Sequence, residues 1–341
     1  MVLSDIVINK HLYIFRIREP LIVRIIRIFL EVVWGLLKVI FYTIFSVYRL
    51  FVPPNSKDVQ GETVLITGAG HGIGREVALL FGRLGATVVC VDINSETNNK
   101  TVEMINEENG VAVGYRCDVT RRGAVFELFR DVIEEVGKVT ILINNAGVMP
   151  CKPISRYNEA EIIHMMDVNV NANIWMIQAF LPSMIEMNHG HIVAMSSMAG
   201  IVGVRNLVPY CGSKHAVRGI MTALAVELKD DRRATNGIKL TTIYPHMVDT
   251  GLCKRPRVRF PSLFHLVSVE EAADKIVDAI RREYLEITIP YFLHYFVRVK
   301  YVLTHLDTNF LAFFIQQIFL KFFGNLKNNK YFKVFETLKK I

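Results

Sequence analysis

From Thr63 onward the chain alternates short β-branched, apolar runs with longer stretches of helical length. The runs at 63–67, 87–92, 111–117, 140–144, 191–197, 238–244 and 285–289 are rich in Val, Ile, Leu and Thr. Strands that read as near-continuous apolar runs are buried on both faces, and helix-length stretches between them imply right-handed crossovers. The pattern predicts an α/β fold. It is a doubly wound parallel sheet of about seven strands with helices on both faces, one domain over residues 63–289.

The two ends depart from this alternation. Residues 28–48 are almost wholly apolar, broken only by Glu31 and Lys38 and flanked by Arg24, Arg27 and Arg49. As a helix the run reaches about 31 Å, roughly one hydrocarbon thickness. No small-residue cleavage site follows it, so residues 1–52 are expected to form a retained N-terminal hydrophobic membrane anchor, spanning or lying flat, rather than a buried core helix. Residues 53–62 then read as a Pro-marked linker. Residues 290–341 are crowded with Phe, Tyr and Lys. They are expected to be an amphipathic segment that caps the substrate, touches a membrane or packs on the domain.

Net charge sharpens that reading. Of the formal +8, residues 1–60 carry +4 (eight Lys/Arg, four Asp/Glu) and residues 321–341 carry +5 (six Lys, one Glu), leaving about −1 for the middle. A nucleic-acid binder would carry its basic patch on the folded domain, whereas basic, aromatic ends suit anionic membrane lipids. Five widely spaced cysteines without a C-x-x-C pair argue against a disulfide framework or a zinc site.

Chemistry enters at the first predicted strand. "TVLITGAGHGIGREV" places Gly68, Gly72 and Gly74 directly after it, opening a helix. Glycines there permit a tight turn, a close backbone approach to a pyrophosphate, and helix N–H groups aimed at the anion. The second strand ends at Asp92, 24 residues after Gly68. A carboxylate at that place accepts hydrogen bonds from ribose hydroxyls and repels a 2′-phosphate. No Arg follows it immediately, and His71 rather than a cation precedes Gly72, so NAD is expected in preference to NADP. Tyr210 and Lys214 stand one helical turn apart on one face. An ammonium about 5 Å from the phenol, at an effective dielectric near 20, would attract the phenolate by roughly 3.3 kcal/mol and bring the tyrosine to about 7.5.

Taken in order, "TGAGHGIG" (67–74), "NNAG" (144–147), Ser197 and Tyr210-x-x-x-Lys214 resemble the short-chain dehydrogenase/reductase superfamily, with its Rossmann-type fold. Within it the chain is similar to the membrane-bound retinol dehydrogenases and the lipid-droplet hydroxysteroid dehydrogenases. The resemblance implies a catalytic tetrad of Asn169, Ser197, Tyr210 and Lys214. Ser196, Asn171 and Asn173 are the neighbours to be weighed against two of its members. It also implies cofactor binding by Gly68, His71, Gly72, Ile73, Gly74, Asp92, Asp118, Asn145, Gly147, Tyr210, Lys214, Pro245, Val248 and Thr250. His246 stands where the family has a glycine.

By the same resemblance, Tyr210 exchanges the alcohol proton, Ser197 holds the substrate oxygen, and Lys214 lowers the tyrosine pKa and binds the nicotinamide ribose. Met149, Met198, Val202, Leu207, Val208 and Met247 flank these positions and would line an apolar cleft, and "KRPRVRF" (254–260) falls in the substrate loop. The expectation is an NAD-dependent oxidoreductase acting on a lipophilic alcohol or carbonyl at the endoplasmic reticulum membrane or a lipid droplet, its catalytic domain facing the cytosol. The family adds a homodimer. The alternatives are an NADPH-dependent reductase of a lipid ketone or aldehyde, and a non-catalytic membrane scaffold.

Overall fold

The computed structural model describes residues 21–230, 237–250 and 266–293. The chain divides into two compact units, Met1–Asn55 and Ser56–Ile341. In the first, the apolar run forms a single 31-residue helix, α1 (Leu21–Phe51). Ile25, Phe29, Val32, Leu36, Val39 and Ile44 are each more than half exposed. Arg27, Glu31 and Lys38 follow one another at i, i+4 and i+11, which is one line along the helix. Among the described residues no helix is long and apolar enough to cross a membrane.

The second unit is built on seven strands: β1 (Thr63–Thr67), β2 (Thr87–Asp92), β3 (Val111–Arg116), β4 (Ile141–Asn144), β5 (Gly190–Met195), β6 (Ile238–Pro245) and β7 (Glu286–Ile289). All pair in parallel in the order β3-β2-β1-β4-β5-β6-β7, as the alternation predicts. Because β4 lies beside β1 while β2 lies on its other side, the chain direction reverses there and a crevice opens at the strands' C-terminal ends.

Alternate residues of each strand feed two cores. Val64 and Ile66 meet α2 (Gly72–Arg83), α3 (Ser95–Glu107) and α8 (Val269–Arg281), while Leu65 and Leu142 meet α4 (Arg122–Glu135), α6 (Ala172–Met187) and α7 (Val208–Asp230). The short α5 (Glu159–Met166) starts on a full capping box between Asn158 and Glu161 and runs through a π-helical turn, Asp167–Asn171, into α6. Strands β3 and β5 stop short of the predicted runs, leaving Cys117, Ser196 and Ser197 beyond the ladder.

The N-terminal edge of the sheet carries a sealed polar cluster. The segment after Ser56 is fastened by Lys57 N–H to the Arg281 carbonyl (2.7 Å) and Arg281 Nε to the Lys57 carbonyl (3.0 Å), with Val59 fully buried. The Thr241 hydroxyl donates to the Tyr284 carbonyl (2.7 Å), so His191 Nε2 is the donor to Thr241 (2.8 Å), leaving Nδ1 as acceptor 3.5 Å from Lys57 Nζ. Burial and the neighbouring ammonium groups push the His191 imidazole down to about 3.

Candidate active site

The glycine turn after β1 is held from three sides. Gly68 has φ +70°, and a Cβ on Gly74 would lie 2.1 Å from the Gly68 carbonyl oxygen, so neither position accepts a side chain. Asp92 at the end of β2 accepts the Gly70 N–H on Oδ2 and the Asn94 N–H on Oδ1, both at 2.9 Å. Arg75 braces the turn through the Gly70 carbonyl and Thr101 Oγ1, and Thr101 in turn donates to the Ala69 carbonyl at 2.9 Å. Asn145 locks the far side, its Nδ2 donating to the Thr67 carbonyl (2.9 Å) and its N–H to Thr67 Oγ1 (3.0 Å). His71 precedes the first turn of α2 without capping it, and no acidic residue stands in that turn. The local field therefore favours an anion.

Across the crevice, α7 brings in the tyrosine and the lysine. Tyr210 and Lys214 are buried, with Lys214 Nζ 5.8 Å from the Tyr210 ring centre and donating to the Met195 carbonyl at 2.7 Å. The Ser197 hydroxyl neighbours the Tyr210 hydroxyl and acts to lower its pKa. Ser197 Oγ also caps the following turn through the Ala199 N–H (3.1 Å) and lies 3.4 Å from the Pro245 carbonyl. Ser196 turns the other way and donates to the Lys214 carbonyl at 2.9 Å, pinning β5 to α7. Both serines lie past the end of β5, and the turn that begins at Ser197 sets them apart.

Asn169 sits fully buried in the π-helical turn. Its side chain pairs with both backbone groups of Val148, accepting at 2.9 Å and donating at 3.0 Å, and donates to Ser213 Oγ, which donates to the Tyr210 carbonyl. Asn173 donates to the Asn169 carbonyl at 2.8 Å, whereas Asn171 bonds Asp167 on a more exposed face. Ser213 was not foreseen from the sequence. Its only signal is its place within "YCGSK", one residue before Lys214.

Titration runs against the sequence estimate. Burial pushes the Tyr210 phenol up to about 12, the Ser197 hydroxyl countering it only in part, and burial pushes the Lys214 ammonium down to about 8. Attraction between ammonium and phenolate is outweighed by the desolvation of both buried groups. The ammonium also faces the Met195 carbonyl, which leaves less of its field for the hydroxyl.

A cavity of about 690 Å³ joins the two halves. Its nucleotide side is lined by Gly68, His71, Gly72, Ile73, Asp92, Asn145 and Gly147. Its reactive side is lined by Ser197, Tyr210 and Lys214, with Pro245, Val248 and Thr250 closing the end. Three expected residues lie off the wall. Gly74 packs behind the turn, Asn169 acts through Val148 and Ser213, and Asp118 bonds Thr120 beyond β3. Of the expected apolar flank, Met149, Met198, Val202, Leu207 and Met247 face the cavity. Val208 does not. It stands 55% exposed outside, because α7 begins there and turns it away.

Val204 and Leu293 also line the cavity. His246 keeps an ordinary backbone, its N–H held by the Ile289 carbonyl at 2.8 Å, so the loop does not need the family's glycine. Among the described residues no group of three or more potential metal ligands occurs. The "KRPRVRF" segment and residues 294–341 lie outside the described residues.

The short chain dehydrogenase family model matches residues 62–258. The chain belongs to that family. The dehydrogenase is 40% identical over 268 residues to short-chain dehydrogenase/reductase family 16C member 6 of Bos taurus, covering 78% of this chain and 84% of the relative. It is 41% identical over 248 residues to epidermal retinol dehydrogenase 2 of Mus musculus (72% and 80% covered). It is 36% identical over 274 residues to 17-beta-hydroxysteroid dehydrogenase 13 of Homo sapiens (80% and 89%). Among solved structures it superposes on a short-chain dehydrogenase from Burkholderia phymatum in complex with NAD, with TM-score 0.65 and 25% identity, over 73% of this chain and 96% of that one. A 7α-hydroxysteroid dehydrogenase with NADH and a 7-oxo bile acid gives TM-score 0.61 and 27% identity (67% and 93%). The likeness to retinol and hydroxysteroid dehydrogenases read from the motifs is borne out, and the protein is an alcohol dehydrogenase/reductase of this family.

Proposed function

We propose that the dehydrogenase is a membrane-associated, NAD(H)-dependent enzyme that interconverts a lipophilic alcohol, of the retinol or hydroxysteroid kind, and its carbonyl. One observation carries the reading: Ser197, Tyr210 and Lys214 open onto the same apolar cavity as the glycine turn and Asp92. The dinucleotide fits what stands there. The glycines leave room for a close backbone approach, the first turn of α2 is uncapped by any side chain, and Asp92 stands where ribose hydroxyls would need an acceptor.

When bound, the dinucleotide supplies the hydride donor or acceptor. The chain supplies the proton and the geometry. The Tyr210 hydroxyl gives a proton to a carbonyl oxygen in reduction and takes one from the alcohol in oxidation, and Ser197 Oγ orients that oxygen. A phenol held near 12 is protonated at neutral pH, the state in which it gives a proton to a carbonyl oxygen. Oxidation needs positive charge beside the phenol, and Lys214 is the residue placed to supply it. Asn169 positions rather than reacts, holding Val148 and, through Ser213, the backbone of Tyr210.

Membrane association rests on α1, whose narrow charged line amid exposed apolar faces suits a helix lying in the surface of the endoplasmic reticulum or a lipid droplet. The homodimer rests on the family resemblance alone. NADPH-dependent reduction has one observation in its favour. Arg116 is the register partner of Asp92 and its Nε donates to the Ile93 carbonyl at 3.2 Å, so a cation stands beside the ribose end.

The test is fluorescence-monitored turnover by detergent-solubilised protein with all-trans-retinol and with estradiol, and of their carbonyl forms, with each dinucleotide. Turnover with NAD(H) well above NADP(H) is expected. Turnover with NADP(H) alone favours the second reading, and none with either dinucleotide, in protein that still binds NAD, sinks the substrate class.

A further inference from the structure

The cavity wall away from the glycine turn is made of two loops, 148–158 after β4 and 201–208 before α7. They are fastened to each other by the Lys152 N–H on the Asn206 carbonyl at 3.0 Å. Tyr157 hydroxyl to Pro150 carbonyl stiffens the first loop, and Val204 N–H to Cys211 Sγ at 3.4 Å holds the second to α7. Their inner side is apolar: Met149 and Leu207 pack with Met165, Tyr210 and Cys211. The outer side is a mixed surface. Ile154 is 51% exposed, Val208 55% and Val204 37%, and Arg156 and Arg205 are both exposed beside them.

Neither arginine forms an ion pair among the described residues, whereas the nearby Glu161 is taken up by Lys152. Glu159, at the start of α5, is the remaining acid in this stretch, against two unpaired guanidinium groups. A single exposed aliphatic residue means little, since folded surfaces carry many. Three on two loops that supply Met149, Val204 and Leu207 to an apolar cavity, interleaved with two unpaired cations, match a lipid surface instead. There the aliphatic groups settle among acyl chains while guanidinium groups meet phosphate.

We propose that this rim, Ile154, Arg156, Val204, Arg205 and Val208, docks on an anionic phospholipid surface and so presents the cavity mouth to substrate dissolved there. The proposal rests on the reading of a lipophilic substrate and adds where and how that substrate is collected. Docking at the mouth removes the step in which a water-insoluble alcohol must cross solvent. The positive charge makes it respond to lipid headgroup composition and to salt.

The experiment compares one alcohol in two presentations, using the full chain. All-trans-retinol is delivered in detergent micelles, or in phosphatidylcholine vesicles with and without phosphatidylserine. The double variants are Arg156→Glu with Arg205→Glu, and Ile154→Ser with Val208→Ser; none of the four residues touches the reacting groups. The expected result is an apparent KM on phosphatidylserine vesicles raised about tenfold or more, on the scale of ~1 kcal/mol per cation lost from an anionic surface. Values of kcat and KM in micelles should stay unchanged, and added salt should raise the wild-type vesicle KM toward that of the arginine variant. An unchanged vesicle KM, or an equal rise in micelles, overturns the proposal. If instead the wild type turns over no retinol in micelles while binding NAD, the substrate reading has failed, and the two failures are told apart.

Discussion

The two edges of the sheet each bury an ionisable cluster, and the one at the C-terminal edge opens onto the cavity. At the C-terminal edge, burial drives Tyr210 up and Lys214 down; at the N-terminal edge it drives His191 down to about 3, further from its ordinary value than either of the other two. The His191 cluster is closed: Nε2 donates to Thr241, Nδ1 faces Lys57, the imidazole is fully buried, and the cavity beside Tyr210 does not reach it. Tyr210 has Ser197 on one side and open cavity on the other. A perturbed titration therefore marks a buried group, and access decides whether it does chemistry. The closed cluster has its own task, since it ties the segment after Ser56 to the base of the domain.

Lys214→Met is expected to show the largest effect. Turnover should fall about 10²–10⁴-fold, the scale of a lost acid–base device, and dinucleotide affinity should drop as well. A lysine serving only to pack α7 would instead lower Tm and leave kcat near wild type. The pH profile sharpens the same point. Oxidation needs the ammonium charged beside the phenol, so kcat/KM for the alcohol should decline above about pH 8, where Lys214 loses its proton, whereas reduction, which draws on a phenol still protonated there, should decline less steeply.

Much of this was legible in the sequence for one physical reason: parallel strands buried on both faces spell themselves out as uninterrupted apolar runs. All seven were found, and the glycine turn followed, because Gly68 and Gly74 answer to backbone geometry that no other residue satisfies. What stayed hidden depends on three-dimensional neighbours. Desolvation of Tyr210 and Lys214 has no local signature. Nor has the bond from Asn173 to the Asn169 carbonyl, which needs the π-helical turn to form, and the exposure of Val208 follows from where α7 begins. Asn173→Leu should accordingly lower kcat about tenfold with little change in KM, because it unpins Asn169 without touching the substrate.

At the closed edge the sign is set by the depressed imidazole. Above about pH 6.5 His191 is neutral in both folded and unfolded chains. As pH falls toward 3 only the unfolded chain gains the proton, so a few kcal/mol of stability are lost in that window. His191→Asn should flatten this acid-side loss in a denaturation series and cost roughly 1–2 kcal/mol at pH 7 through the bond to Thr241. The smallest effect is expected from Asp92→Ala, a several-fold shift of the kcat/KM ratio away from NAD toward NADP; an unchanged ratio would count against the assigned ribose contact.

The most direct measurement sets Tyr210→Phe beside His191→Asn, recording turnover on the lipophilic alcohol, NAD affinity and Tm for both. The account predicts that Tyr210→Phe loses turnover while keeping NAD affinity and Tm, and that His191→Asn loses Tm while keeping turnover. Turnover surviving in Tyr210→Phe, or vanishing in a folded His191→Asn, would contradict it.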